Sequence, residues 1–115
     1  MEEAKKIKLQ MAGVNLYNGA KRFLNNEALY EKFLVQFPSD LNMQILRQAL
    51  TAEDVQPAFC AAHTLLGVAA NLSMEVFLEA LYPLTQALRV GNIDLAKSDM
   101  PDVEKAYVSI LEALK

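Results

Sequence analysis

The stretch Phe59–Ser73, FCAAHTLLGVAANLS, decides how the rest of the chain is read, because it carries the only histidine, His63, and the only cysteine, Cys60. On a helix each side chain advances by about 100°. That step lines up Val55, Ala58, Phe59, Ala62, Leu65, Leu66, Ala69 and Leu72 as one broad apolar face and puts His63 at its edge. The same edge carries Phe59, Cys60, Leu66 and Gly67 one turn away, and Gln56 and Ala70 two turns away. Most of that rim is small. Glycine costs a helix roughly 1 kcal/mol relative to alanine, so Gly67, inside a run rich in alanine and leucine, calls for a reason. Room beside the imidazole is one. A packing contact that needs a bare backbone is the other.

Outward from this helix, about Val55 to Leu72, the pattern stays helical. Asp54 is the expected N-cap, with Pro57 tolerated in the first turn. Ser73 is expected to cap the following helix, whose Met74, Phe77, Leu78, Leu81, Leu84 and Leu88 recur at three- and four-residue steps. Gly91 should end that helix in a left-handed cap, and Pro83 should kink it. Residues Asn92 to Ser98 read as a loop, with Ser98 or Asp99 capping a last helix that has Pro101 in its first turn. Its stripe is Ala106, Tyr107, Ile110, Leu111 and Leu114.

Upstream, Leu41, Ile45, Leu46, Ala49 and Leu50 form a stripe that Ser39 or Asp40 caps after Pro38. Before it, Leu29, Tyr30, Phe33, Leu34 and Phe37 form another, and the phenylalanines at 33, 37 and 77 read as core. Asn15 is the expected cap of a short helix Leu16 to Leu24, with Leu16, Ala20, Phe23 and Leu24 on one face despite Gly19. Residues 1–12 read as a lead-in helix or frayed segment with Ile7, Leu9 and Met11 as its apolar positions. No stretch shows sustained alternation or a hairpin turn. Short connections between long helices make neighbours antiparallel. The expected fold is therefore all-α, an antiparallel up-down four-helix bundle with additional short N-terminal helices, forming one domain over residues 1–115.

Composition narrows the function. With 53% hydrophobic and 22% charged residues the chain is globular, not disordered. Its net charge is −3, and its eleven basic residues are scattered, so no nucleic-acid partner is expected. No apolar run reaches the roughly 18 residues of a membrane span, and the N-terminus lacks the apolar core of a signal peptide. A single cysteine suits a reducing compartment. The expected location is the cytoplasm, without a membrane partner.

The spacing His63-Thr64-Leu65-Leu66-Gly67, followed by Ala69, Ala70, Asn71 and Leu72, resembles the histidine-containing phosphotransfer (HPt) domain of two-component phosphorelays. The family pattern is His-x-Leu-Lys-Gly, then small residues and a glycine-like stop. Leu66 stands where the family usually has lysine, and Ser73 where it often has glycine. The earlier helices fall where the family places its own, so the resemblance spans roughly Gly13 to Leu114. It implies that His63 accepts and returns a phosphoryl group, that Gly67 gives clearance, and that Gln56, Phe59, Cys60, Leu66 and Ala70 form the rim on which a receiver domain docks. The implied partners are a response-regulator receiver domain and a hybrid sensor histidine kinase. The protein brings no cofactor of its own in this reading, the magnesium ion being held by the receiver.

The residues support that chemistry in general terms. Histidine titrates near pH ~6.5 as a side-chain type, which leaves a nucleophilic neutral fraction near neutrality. The chain has no glycine-rich nucleotide loop, so the expectation is a phosphoryl carrier without autokinase activity, not an enzyme. Cys60 and His63 share a helix face, yet two ligands are too few for a structural metal site. A Cys60 nucleophile activated by His63 lacks a third, orienting group. A family lysine at position 66 would hold an ammonium near the phosphoryl oxygens, so Leu66 removes charge compensation and leaves the fold intact. Residue counting places Met43, Gln44 and Arg47 opposite His63 on one side, and Pro83 with Gln86 on the other. The alternative reading is a phosphate-independent module that binds a receiver or another protein partner.

Overall fold

A computed structural model describes all of residues 1–115. Seven helices follow one another: α1 (Glu3–Met11), α2 (Leu16–Arg22), α3 (Glu27–Gln36), α4 (Asn42–Thr51), α5 (Val55–Asn71), α6 (Glu75–Arg89) and α7 (Ile93–Leu114), with a single 3-10 turn, Phe37–Ser39, between α3 and α4. Helices α4 to α7 pack on their sequence neighbours as an up-down bundle, and α1 lies against α7. The fold is the expected all-α bundle with short helices ahead of it.

The stripes explain the core. Ala58, Ala62, Leu65 and Ala69 of α5 are fully buried, as are Leu46 of α4, Phe77, Leu81 and Leu84 of α6, and Val103 and Ile110 of α7. Alanine on three of four α5 positions lets the flanking helices approach closely. Phe37, Phe77 and Tyr107 close one end, with ring centroids 5.7 to 5.9 Å apart. At that end the Arg47 Nε–H is shared between the two carboxylate oxygens of Glu104, at 2.9 and 3.1 Å, and the guanidinium covers the Tyr107 ring.

Five of the helices stop in the same way. After α1, α4, α5 and α6 the chain turns through one left-handed residue, Gly13, Glu53, Ser73 and Gly91 respectively, and after α2 through two, Leu24 and Asn25. In each, two backbone amides fold back onto the last carbonyls, as Ser73 N to Ala70 O and Met74 N to Ala69 O do after α5. Four of these residues are not glycine, and a left-handed L-residue costs roughly 1–2 kcal/mol.

Several sequence expectations change here. Ser73 does not cap α6; it is buried with φ at 54°, and Met74 precedes the helix. The orphan amides of Glu75 and Val76 instead donate to the Gly13 carbonyl, while Asn15 N donates to Ser73 O across an isolated bridge between Val14 and Met74. Asp54 holds the N-cap position of α5 without a side-chain hydrogen bond. Helix α7 begins at Ile93, capped by Asn92, whose side chain accepts from Leu95 N at 3.1 Å. The expected loop at 92–98 is thus its first two turns, and Pro101 lies inside the helix, on its exposed side. Helix α2 ends at Arg22, and Leu24 is 91% exposed because it occupies the left-handed turn. Phe33 is half-exposed, not core. In the lead-in segment only Leu9 is buried; Ile7 and Met11 face outward.

Asn15 and Asn26 cap α2 and α3 by accepting from Asn18 N and Leu29 N. Between them, Gly19 lies against the ring of Tyr30, whose hydroxyl donates to Leu72 O at 2.7 Å. Burial pushes the Tyr30 phenol up to about 12 from an ordinary 10.0. The folded state therefore holds this proton more tightly than the unfolded chain. Its stabilisation is complete below pH ~10 and is lost as pH rises through about 12. Urea midpoints should hold steady from pH 8 to 9.5 and fall by pH 11, more steeply than those of Tyr30→Phe. Tyr107, also raised by burial, keeps some slope in the variant. Equal slopes in the two proteins would remove Tyr30 as the cause.

Candidate functional site

His63 is exposed on α5 between Ala62, buried beneath it, and the open side of the helix. The Phe59 ring, one turn earlier and half-buried, lies 5.7 Å from the imidazole between centroids, tilted by 35°. Over that same Phe59 ring sits the guanidinium of Arg89, from the last turn of α6, at 5.1 Å. Arg89 Nε donates to Gln86 Oε1 at 3.1 Å.

On its other side the imidazole borders a shallow groove. His63, Leu66, Gly67 and Ala70 of α5 form one bank; Leu78, Glu79 and Tyr82 of α6 form the other. A Cβ built on Gly67 would meet no other atom within 4 Å. The packing reason for this glycine is thereby excluded, since no neighbouring element approaches its backbone. What remains beside the imidazole is open space.

Leu66 and Ala70 therefore join His63 and Gly67 in the groove, and Phe59 touches the imidazole from the opposite side. Gln56 and Cys60 are exposed on the same helix but do not line the groove; Gln56 Nε2 lies 4.0 Å from Cys60 Sγ. The flanking groups obtained by counting need correction. Pro83 is on the far flank of α6, beside Asp102 and Ala106 of α7. Met43 is buried, and Arg47 is committed to Glu104 and Tyr107. Glu79, Tyr82 and Arg89 were missed, although Leu78, Tyr82, Gln86 and Arg89 recur at four-, four- and three-residue steps and form one stripe of α6. No group of three or more His, Cys, Asp or Glu side chains is placed to hold a metal ion. No helix is long and apolar enough to cross a membrane.

Compared with known protein families, residues 28–115 match the family model of the Hpt domain. The chain belongs to the Hpt domain family. Comparisons with curated proteins and with solved structures found no significant match. HPt domains are phosphotransfer modules, phosphocarriers and not enzymes, and the family implies receiver domains as partners. This HPt domain also accounts for one departure from the family pattern. Ser73, where a glycine is often found, adopts the left-handed conformation that glycine favours.

Proposed function

We propose that this HPt domain relays a phosphoryl group between receiver domains through His63, taking it from the receiver of a hybrid sensor kinase and passing it to a response regulator. The observation that carries the reading is an exposed imidazole beside a glycine with nothing above it. A ring nitrogen's lone pair attacks phosphorus of the receiver's aspartyl phosphate. The N–P bond forms as the O–P bond breaks, and its electron pair returns to the aspartate as carboxylate. The other ring nitrogen keeps its proton, so the phosphoimidazole is an activated group that the reverse step can return. The receiver supplies the magnesium ion, and this chain supplies the nucleophile and a surface that admits in-line approach. The site of action in this reading is the cytoplasm.

The test is incubation with a phosphorylated receiver. Acid-labile, alkali-stable label should appear on the native protein and be absent from His63→Gln. Label on the His63→Gln protein would sink the assignment.

A phosphate-independent docking module is the second reading, favoured by Leu66 and by the Glu79 carboxylate on the groove. Magnitudes decide between them. Unit charges 4 Å apart attract by roughly 4 kcal/mol at an effective dielectric near 20, but a partly exposed lysine realises only about 1 kcal/mol. That is about a fivefold change in equilibrium, enough to tune transfer and too little to create it. Leu66→Lys should therefore raise the equilibrium fraction of phospho-His63 by up to about fivefold at fixed phosphodonor. A native protein that stays unlabelled with every receiver, beside a fully labelled Leu66→Lys protein, would favour the docking module.

A further inference from the structure

We propose that Arg89 is the cation that receives the phosphoryl oxygens on phospho-His63, a role for which position 66 offers only leucine. The inference rests on the carrier reading of His63 and adds the partner that balances its charge.

Three observations place Arg89 in this role. The first is that a single ring, Phe59, contacts both groups: the guanidinium lies 5.1 Å from its centroid and the tilted imidazole 5.7 Å from it. The attraction of a cation for an aromatic face restrains a side chain that would otherwise sample many rotamers. The second is the bond from Arg89 Nε to Gln86 Oε1, which fixes one edge of the fork and leaves both terminal nitrogens without a protein partner. The third is the charge inventory. Arg89 forms no ion pair, whereas Arg47, Lys97 and Lys115 each pair with a glutamate.

Around the imidazole, the other ionisable groups are Cys60 on its own helix and Glu79 and Tyr82 across the groove. None of these is a cation. Lys21 and Arg22 lie past Ala70, around a separate depression, and Lys21 covers the Tyr17 ring. A phosphoryl group on His63 would thus face the Glu79 carboxylate on one side, and on the other Arg89 is the cation that shares the Phe59 ring with the imidazole. Guanidinium suits this placement because its planar fork binds two phosphoryl oxygens at once. Its place in the last turn of α6 is also favourable electrostatically, since cations stabilise helix C-termini. That purely structural benefit is the same whether or not His63 carries phosphate, so a measurement on the phosphoryl group itself separates the two roles.

Potassium phosphoramidate, a small donor that phosphorylates histidine without a receiver, provides the phosphorylated protein, and 31P NMR then follows the phosphoryl resonance against pH. In Arg89→Ala the midpoint of the 31P titration of the phosphohistidine should rise by about half a unit to one unit relative to the native protein, because losing a nearby cation favours the protonated form. Arg89→Lys should recover part of the shift. Leu66→Lys added to Arg89→Ala should recover part of it as well, by restoring a cation on the α5 bank beside His63. With a phosphorylated receiver, Arg89→Ala should lower the equilibrium fraction of phospho-His63 by a few-fold. Identical 31P titrations for the native and Arg89→Ala proteins would overturn the role of Arg89 while leaving His63 a carrier. Phosphorylation by phosphoramidate with none from any receiver would overturn the relay while the titration still judged Arg89. No phosphohistidine from either donor would overturn both.

Discussion

Gly67→Leu should abolish receiver-driven phosphorylation of His63 and leave the bundle folded. A leucine at this position directs four carbons into the groove between Leu66, Ala70 and Tyr82, over space that no other part of the chain occupies. Nothing inside the protein opposes the substitution. Leucine also replaces the poorest helix former short of proline in the middle of α5, which favours the fold by roughly 0.5–1 kcal/mol. The penalty falls on the incoming receiver, whose phosphorus must reach in-line geometry at the imidazole. Displacing a reacting atom by about 1 Å can cost a hundredfold, and a leucine side chain stands higher than that. The expected result is an initial transfer rate reduced by at least about a hundredfold, together with an unchanged or raised thermal midpoint. Phosphoramidate, being small, should still label the variant. Full transfer from a receiver would show that clearance is not the function of the glycine.

The second large effect is on stability. Gly19→Val should destabilise the protein by about 3 kcal/mol, because any Cβ at this position falls inside the phenol of Tyr30. The ring cannot step aside freely. It stacks on Phe23 with centroids 5.5 Å apart, and its hydroxyl donates to the Leu72 carbonyl at the end of α5. Overpacking costs roughly 1–3 kcal/mol, and a buried carbonyl left without its donor adds roughly 1–3 kcal/mol. Chevron or urea-melt measurements read the loss directly, and for a chain of this size it corresponds to a midpoint lower by roughly 10–20 °C. A change below about 0.5 kcal/mol would mean that α2 moves away from α3 at no cost.

How far these residues could be read in advance depended on whether their signal was local. The α5 stripe and the exposed edge with His63 and Gly67 follow from the 100° step alone. So do the caps at Asn15 and the left-handed stop at Gly91, since each needs a particular residue type. Leu24, Glu53 and Ser73 occupy the same left-handed stop without glycine, and the backbone bonds that hold them there leave no trace in side-chain chemistry. Pro101 misled the reading of α7, because an interior proline and a first-turn proline look alike when the cap six residues before Ser98, Asn92, is overlooked. The site's second bank was out of reach for another reason. Counting along antiparallel helices fixes the level of a residue to about one turn, and one residue separates Tyr82, in the groove, from Pro83, on the other flank of α6. The contact from Arg89 to Phe59 joins two helices through a ring, and no spacing within either helix encodes it.

The link between Gly13 and the start of α6 bears on where this protein can be cut. The family match begins at residue 28, yet the first two amides of α6 are satisfied by a carbonyl at residue 13. In the whole chain, the Glu75 and Val76 amides should therefore exchange slowly with deuterium despite their exposed side chains. A chain trimmed to residues 28–115 loses that acceptor, together with the Asn15 amide that holds Ser73 O. Exchange at 75 and 76 should then speed up, and the fraying would reach the turn of α6 that carries Leu78 and Glu79. The boundary at which the family is recognised thus falls inside the cooperative unit that keeps the groove in shape.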